Sequence, residues 1–278
     1  MMNPAEESVS NHYNTIGWKI EEGIAVDVRR WEDLREYADK YMQNCRLRVL
    51  RHIPERGENI LDMASGPIPF EEYLAYSRNF TKRYCVDLSS TALEGAKKKI
   101  GSHGVFLQGS FFDIPLEDDF FDCSISLHTI YHIDKDKQEE AVRKLIRVTK
   151  SGQPIIIVYS NPDTIIASLS SSPLIQAFSN ARNLLKKAKE NVWMKLYFYQ
   201  HPIEWWNRFS DVAHIQILPW RSFLVDDQKL LIPNNKIGGI MFDLLFSLEE
   251  RFPNFFVKHF QYPMIVLTKN KNGGNTPP

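Results

Sequence analysis

Between residues 59 and 160, short apolar runs alternate with segments of helical periodicity. This alternation restricts what the chain can fold into more than any other feature. The apolar runs lie at 59–64, 83–88, 104–109, 121–127 and 154–160. Helical patterns separate them at 70–79, 89–100 and 136–150. The helix at 89–100 opens with hydroxyl residues and a Thr91-to-Glu94 capping box. The helix at 136–150 puts Ala141, Leu145 and Val148 on one face and stops at Ser151-Gly152. Strands joined through helices need crossover connections, which predicts a parallel sheet in an α/β fold. Runs apolar at consecutive positions suit a sheet covered on both sides, a three-layer sandwich.

The flanking segments read differently. Residues 30–53 hold apolar residues at helical spacing without Pro or Gly, and predict one long amphipathic helix using Trp31, Leu34, Tyr37, Ala38, Tyr41 and Cys45. The aromatic segment before it is expected to pack on the body. Past Asn161-Pro162 the pattern gives two helical pieces up to residue 200, and then a helix with Pro202 at its first position. Late strands follow at 214–224 and 261–269, with a helix at 240–251 between them. The end, 271–278, reads as disordered.

Composition excludes extremes. Lys+Arg and Asp+Glu are 34 each, so the net charge is zero, which leans away from a dedicated nucleic-acid binder. Cys45, Cys85 and Cys123 are an odd set without a C-x-x-C, so buried thiols in a reducing compartment are expected. The polar, mildly acidic start is not a signal peptide. No run approaches the ~18 apolar residues of a membrane span. A soluble cytoplasmic protein is the expectation.

The loop after the first core strand is LDMASGPIPF, residues 61–70. Ligands of open α/β sheets bind at the carboxyl ends of strands. Small residues there (Ala64, Ser65, Gly66) let the backbone approach a ligand. A dinucleotide would need G-x-G-x-x-G, yet only Gly66 is glycine, and Pro67 and Pro69 remove two N–H donors. The phosphate loop G-x-x-x-x-G-K-S/T is absent. A nicotinamide oxidoreductase is therefore disfavoured.

From Asp62 to Gly66 the chain resembles the first motif of the class I S-adenosylmethionine-dependent methyltransferases, an acidic strand end followed by a glycine-rich turn. Ala64 stands in the first glycine position and Ile68 where many members have a third glycine. Ala and Ile do not routinely adopt φ > 0, so a reshaped turn is expected. Asp87 closes the next strand, where the resemblance implies a carboxylate on the ribose hydroxyls and Leu88 on the adenine. GSFFDIPL (109–116) resembles the third motif and implies Ser110, Phe112 and Asp113 around the adenine, with Asp113 accepting from its amino group. The segment at 124–133 resembles the one lining the methionine end, with Leu127 at the strand's end. The resemblance covers 59–160 well and implies a mostly parallel seven-stranded Rossmann-like sheet with its last strand antiparallel. The implied division is a helical lid at 1–56, the cofactor-binding core at 57–162, substrate-side helices and the last strands at 163–270, and the tail.

Methyl transfer from a sulfonium is an in-line displacement, so the protein mainly aligns the reactants and excludes water. It can also remove a proton from the acceptor. His128, at the mouth of the fourth strand, is the candidate base, and His132 is expected to support its neighbours. A metal at His128 and His132 would need an adjacent Glu and a third ligand, so none is expected. G-x-S-x-G is absent too. Tyr13 and Trp18 are candidates for a lid, with Tyr13 on the cofactor. Trp18, Tyr131, Tyr159, Trp205 and Arg221 are candidates for the acceptor pocket. The basic stretch at 182–189 reads as a solvated face or an anionic patch. The apolar stretch from Ile240 to Phe256 reads as core or as a groove for a lipid-like acceptor. The expected activity is methylation of a small-molecule or sugar-containing metabolite. Oxygen is favoured over nitrogen on the His128 argument and on analogy with bacterial biosynthetic members. The alternatives are a nucleic-acid methyltransferase, for which the Asn/Asp-Pro-Pro-Tyr/Phe motif is missing, and a non-catalytic cofactor-binding subunit.

Overall fold

A computed structural model describes residues 2–165 and 196–271. Alternate residues of its strands point to opposite faces, and both faces are buried. Ile155 and Ile157 join Leu61, Met63, Ile265 and Leu267 in one apolar cluster. Ile156 and Val158 join Ile60, Ile125, Met264 and Val266 in another. The sheet therefore has two cores, one per face.

The sheet uses seven of the nine strands among the described residues. A two-residue hairpin, β1 (Ile20–Glu21) with β2 (Ile24–Ala25), stands apart. The others are β3 (Gly57–Met63), β4 (Phe80–Asp87), β5 (Gly104–Gln108), β6 (Cys123–Leu127), β7 (Pro154–Val158), β8 (Ala213–Arg221) and β9 (Tyr262–Lys269). They lie in the order β5-β4-β3-β6-β7-β9-β8. The pairs from β5 to β7 are parallel, while β9 is antiparallel to both neighbours. This is the mostly parallel Rossmann-like sheet with an antiparallel last strand that the sequence implied. The chain reverses its direction across the sheet between β3 and β6, where such folds bind ligands.

Among the described residues the helices are α1 (Pro4–His12), α2 (Val26–Trp31), α3 (Glu36–Leu47), α4 (Glu71–Ala75), α5 (Ser90–Ile100), α6 (Gln138–Val148), α7 (Val225–Leu231), α8 (Lys236–Arg251) and α9 (Pro253–His259). α6 buries Ala141, Leu145 and Val148 against one face of the sheet. On the other face, α3 and α8 contribute Tyr41, Met42, Phe242 and Leu245. Each such aliphatic or aromatic side chain removed from water contributes about 1.5–3 kcal/mol.

Several local expectations are corrected. The helix expected over 30–53 is broken: Glu32 is extended at φ −112, ψ 138. The break is held by Asp33, whose carboxylate accepts from Arg35 Nε at 2.9 Å and Nη2 at 2.7 Å, and from the Arg35 N–H at 3.3 Å. Such side-chain bonding offers the backbone an alternative to helix. Trp31 and Leu34 are consequently exposed, while Ala38, Tyr41 and Cys45 are buried as expected. The cap of α5 is Ser89, which accepts from the Ala92 N–H at 3.1 Å, rather than Thr91. The helix after Pro202 is a 3₁₀ segment, Ile203–Phe209. The expected helices of 163–200 and the basic stretch at 182–189 fall almost wholly outside the described residues, as does the tail from 272. The three cysteines are free and buried.

Ile240, Met241, Leu244, Leu248, Phe252 and Phe255 are exposed, while Phe242, Leu245 and Phe256 of that stretch are buried. The stretch is core on one side only: Phe242 and Leu245 of α8 pack into the cluster beneath the sheet, while its further apolar residues face away.

Candidate active site

The loops after β3, β4, β5 and β6 meet at the carboxyl end of the sheet around a cavity of about 610 Å³. The loop after β3 begins with the Ala64 N–H donating to Val86 O at 2.7 Å, which ties it to β4. Ala64, Gly66 and Ile68 have φ of 57, 56 and 55. The left-handed turn is thus kept with non-glycine residues at two of its three positions, so the reshaping expected from the sequence does not occur. At Gly66 a side chain is disfavoured by φ, as at Ala64 and Ile68, and also by Trp18, whose ring would lie 3.0 Å from a Cβ.

Asp87 joins the loop to the end of β4. Its Oδ2 accepts from the Gly66 N–H at 2.9 Å and its Oδ1 from the Ser89 N–H at 2.8 Å. Each carboxylate oxygen has a further lone pair to offer. Burial raises the Asp87 carboxyl to about 6, against the lowering effect of the Ser89 and Gly66 donors. Leu88 and Phe112 line the cavity beside it, as do Ser65 and Leu127. The donor set and the backbone cradle fit an adenosine-bearing ligand: an acid for a ribose diol, apolar side chains for a base, and a turn without side-chain bulk.

Ser110 and Asp113 do not line the cavity. Ser110 lies behind its wall, accepting from the Phe112 N–H at 3.2 Å and donating to Glu6 Oε1. Asp113 is exposed, with its N–H donating to Ser110 O at 3.0 Å. Lys144, missed in the sequence, fixes this loop by donating to the carbonyls of Phe111, Phe112 and Ile114 at 2.6, 3.1 and 2.7 Å.

Asp62 lines the cavity, but its Oδ2 accepts from Arg83 Nε at 2.9 Å and also from Nη2. Arg83 is 1% exposed and further donates to Tyr73 O at 2.6 Å. An arginine inside a strand covered on both faces has to be paired, and that was the sequence signal for this contact.

The N-terminal segment roofs the cofactor end. Besides the Ser110–Glu6 bond, Ser89 Oγ donates to Asn14 Oδ1 at 2.8 Å. Tyr13 and Trp18 both line the cavity and stack at 5.3 Å.

At the other end stand Trp31, Phe70, Tyr73, Phe198 and Tyr262, with His128, Tyr131, His132 and Arg221 among them. His128 has φ 59, and its Nδ1 lies 3.1 Å from the Tyr131 hydroxyl. Burial first, then the Arg221 cation and the neighbouring His132, hold its imidazole well below the ordinary value. Arg221 Nη1 donates to Trp31 O at 3.3 Å and lies 3.5 Å from Glu32 Oε1, with its guanidinium 4.9 Å above the Tyr262 ring. Tyr159 and Trp205 do not reach the cavity. Tyr159 donates to Gln138 Oε1 at 2.9 Å, and Trp205 stacks on His201. Both belong to the apolar core on the α6 face. The apolar residues of α8 are likewise not in the cavity wall. No cluster of His, Cys, Asp and Glu suited to a metal ion occurs among the described residues.

Residues 61–157 match a family model described as a methyltransferase domain. The chain carries a class I S-adenosylmethionine-dependent methyltransferase domain. Solved structures agree at the level of fold. The DhpI–SAH complex has TM-score 0.59 at 13% identity, covering 97% of this chain and 99% of that one. A geranyl diphosphate C-methyltransferase from Streptomyces coelicolor A3(2), crystallised with Mg2+, geranyl diphosphate and S-adenosylhomocysteine, has TM-score 0.54 at 15% identity, with coverages of 96% and 98%. A chain from the complex of the Haloferax volcanii Trm112 methyltransferase activator with a methyltransferase has TM-score 0.52 at 14% identity, with coverages of 97% and 99%. No curated protein matches the sequence. No helix among the described residues is long and apolar enough to cross a membrane.

Proposed function

We propose that this methyltransferase acts on an oxygen atom of a small, largely apolar acceptor. One observation carries the reading: a single cavity joins the Asp87 end to an aromatic end that contains two imidazoles, His128 and His132. S-adenosylmethionine supplies a methyl group already activated on a sulfonium sulfur. Asp87 would hold the ribose hydroxyls, Leu88 and Phe112 the adenine, and the backbone of Ala64, Ser65 and Gly66 the methionine end. Tyr13 and Trp18 close this end, which excludes water from the displacement. Trp31, Tyr73 and Phe198 shape a slot for an apolar body, and aromatic walls bind such bodies well. Burial keeps both imidazoles neutral near pH 7, and a neutral imidazole can accept the proton of an acceptor hydroxyl.

The test is incubation of the full chain with S-adenosylmethionine and paired panels of phenols and anilines, with products read by mass spectrometry. A methyl ether is the expected product. Methylated anilines without methyl ethers would overturn the oxygen reading in favour of nitrogen. Methylation of added RNA alone would overturn the small-acceptor reading.

A further inference from the structure

The two cavity histidines are held in different ways. His132 Nδ1 lies 2.8 Å from the Tyr197 carbonyl oxygen. A carbonyl only accepts, so Nδ1 carries the proton, and in the neutral ring the lone pair sits on Nε2. No hydrogen bond among the described residues engages that nitrogen, and the ring lines the cavity. His128 differs. Its Nδ1 faces a hydroxyl that can donate or accept, so its tautomer is not fixed by its partner. Its ring is also packed edge-on against Trp220 at 4.6 Å and Tyr262 at 5.1 Å, beside the cation of Arg221.

We propose that His132, rather than His128, takes the proton from the acceptor hydroxyl, with the Tyr197 carbonyl fixing its tautomer and His128 positioning Tyr131. The assignment rests on the oxygen-acceptor reading. As the acceptor O–CH3 bond forms, the S–CH3 bond breaks and its electron pair stays on sulfur, giving S-adenosylhomocysteine. The acceptor O–H bond breaks and its proton passes to His132 Nε2.

The surroundings suit this role. Burial lowers the affinity of His132 for a proton, the Tyr197 carbonyl and Asp27 on α2 raise it, and His12 on α1 opposes it. Asp27 is also 3.9 Å from His12 Nε2. The rings of Tyr131 and Phe198 enclose His132 at 4.7 and 5.7 Å. A base whose proton-bearing nitrogen is tethered to an acceptor presents its lone pair in one direction, which is the arrangement proton transfer needs.

Two measurements test the proposal. Long-range 1H–15N spectra of the full chain, labelled at histidine nitrogens and bound to S-adenosylhomocysteine, read the tautomer without any acceptor. His132→Asn assigns the signal. A proton on Nδ1 and none on Nε2 at pH 7.5 supports the proposal, and a proton on Nε2 overturns it. The second measurement compares phenol, which must lose its proton, with 4-nitrophenol, which is largely ionised at mildly alkaline pH. His132→Asn keeps a donor for the Tyr197 carbonyl. It should lower methylation of phenol by about a hundredfold or more, leave that of 4-nitrophenol within about threefold, and leave S-adenosylhomocysteine affinity within about twofold. Equal losses on both phenols overturn the base and leave a structural role. The aniline panel reports on the oxygen reading separately, since the tautomer is decided whichever acceptor is used.

Discussion

The backbone N–H of Gly66 donates to Asp87 Oδ2 across 2.9 Å, so the glycine turn after β3 and the acid ending β4 form one hydrogen-bonded unit. The acid is positioned by the turn it serves. Asp87→Ala removes both the ribose acceptor and the support of the turn. We expect S-adenosylmethionine binding to weaken by about 1.5–3 kcal/mol, the range for hydrogen bonds to charged groups. Calorimetry on the folded variant checks this, and unchanged affinity would remove Asp87 from the ribose site.

The same carboxyl makes binding depend on pH. It ionises at about 6 in the free protein, mainly because of burial. In cofactor-free protein a raised carboxyl contributes stability below its unfolded value near 3.9, and that contribution is lost as pH rises through about 6. Binding runs the other way, because a ribose hydroxyl donates best to the ionised acid. S-adenosylhomocysteine affinity should be full above pH 7 and fall by about tenfold per unit once pH drops below 6. Titrations at several pH values decide this, and a flat profile between pH 5 and 7.5 counts against it.

The two non-glycine residues of the turn should respond in opposite directions to glycine. A non-glycine residue at left-handed φ costs about 1–2 kcal/mol, while a glycine adds about 0.4–1 kcal/mol of unfolded-chain entropy. Ala64→Gly should therefore stabilise by a few tenths to about 1 kcal/mol. Ile68 is fully buried and packs with Leu93 and Ala96. Losing such a side chain costs about 2–5 kcal/mol, so Ile68→Gly should destabilise despite the relieved backbone. Urea unfolding of both variants tests the pair of signs.

Asp62 is committed to Arg83, so its replacement should act on the fold first. Asp62→Asn leaves a buried guanidinium uncompensated, at a cost of about 3–5 kcal/mol. The double variant Asp62→Asn with Arg83→Met should recover part of the loss. If the single variant unfolds at the wild-type urea concentration, the pair is not a structural element.

The legibility of this chain follows the range of its interactions. The β–α alternation, the acid at Asp87 and the small-residue turn could be read because each is set by local spacing. The break at Glu32 could not, since periodicity does not register the fork of Asp33 on Arg35. Nor could the outward side of α8, because it carries more apolar residues than one side can hold and the sheet alone chooses which are covered. The acceptor end was least legible. Trp31, His132, Phe198 and Arg221 come from four distant parts of the chain, and only the fold brings them together. Tyr159 and Trp205 have the same residue types but lie in the α6-side core.

The place of β9 has a consequence for how the protein is made. Among the described residues it is the last strand in sequence, yet it lies between β7 and β8 and pairs with both. While the ribosome has not yet delivered residues 262–269, β8 has no partner in the sheet and Tyr262 is missing from the acceptor pocket. The cofactor end can form from the first 160 residues, but the acceptor end waits for the last strand. Synthesis itself thus delays the enzyme's competence for its acceptor, and a chain stopped at Gln261 should still bind S-adenosylhomocysteine while exposing β7 as a sheet edge, which limited proteolysis would reveal.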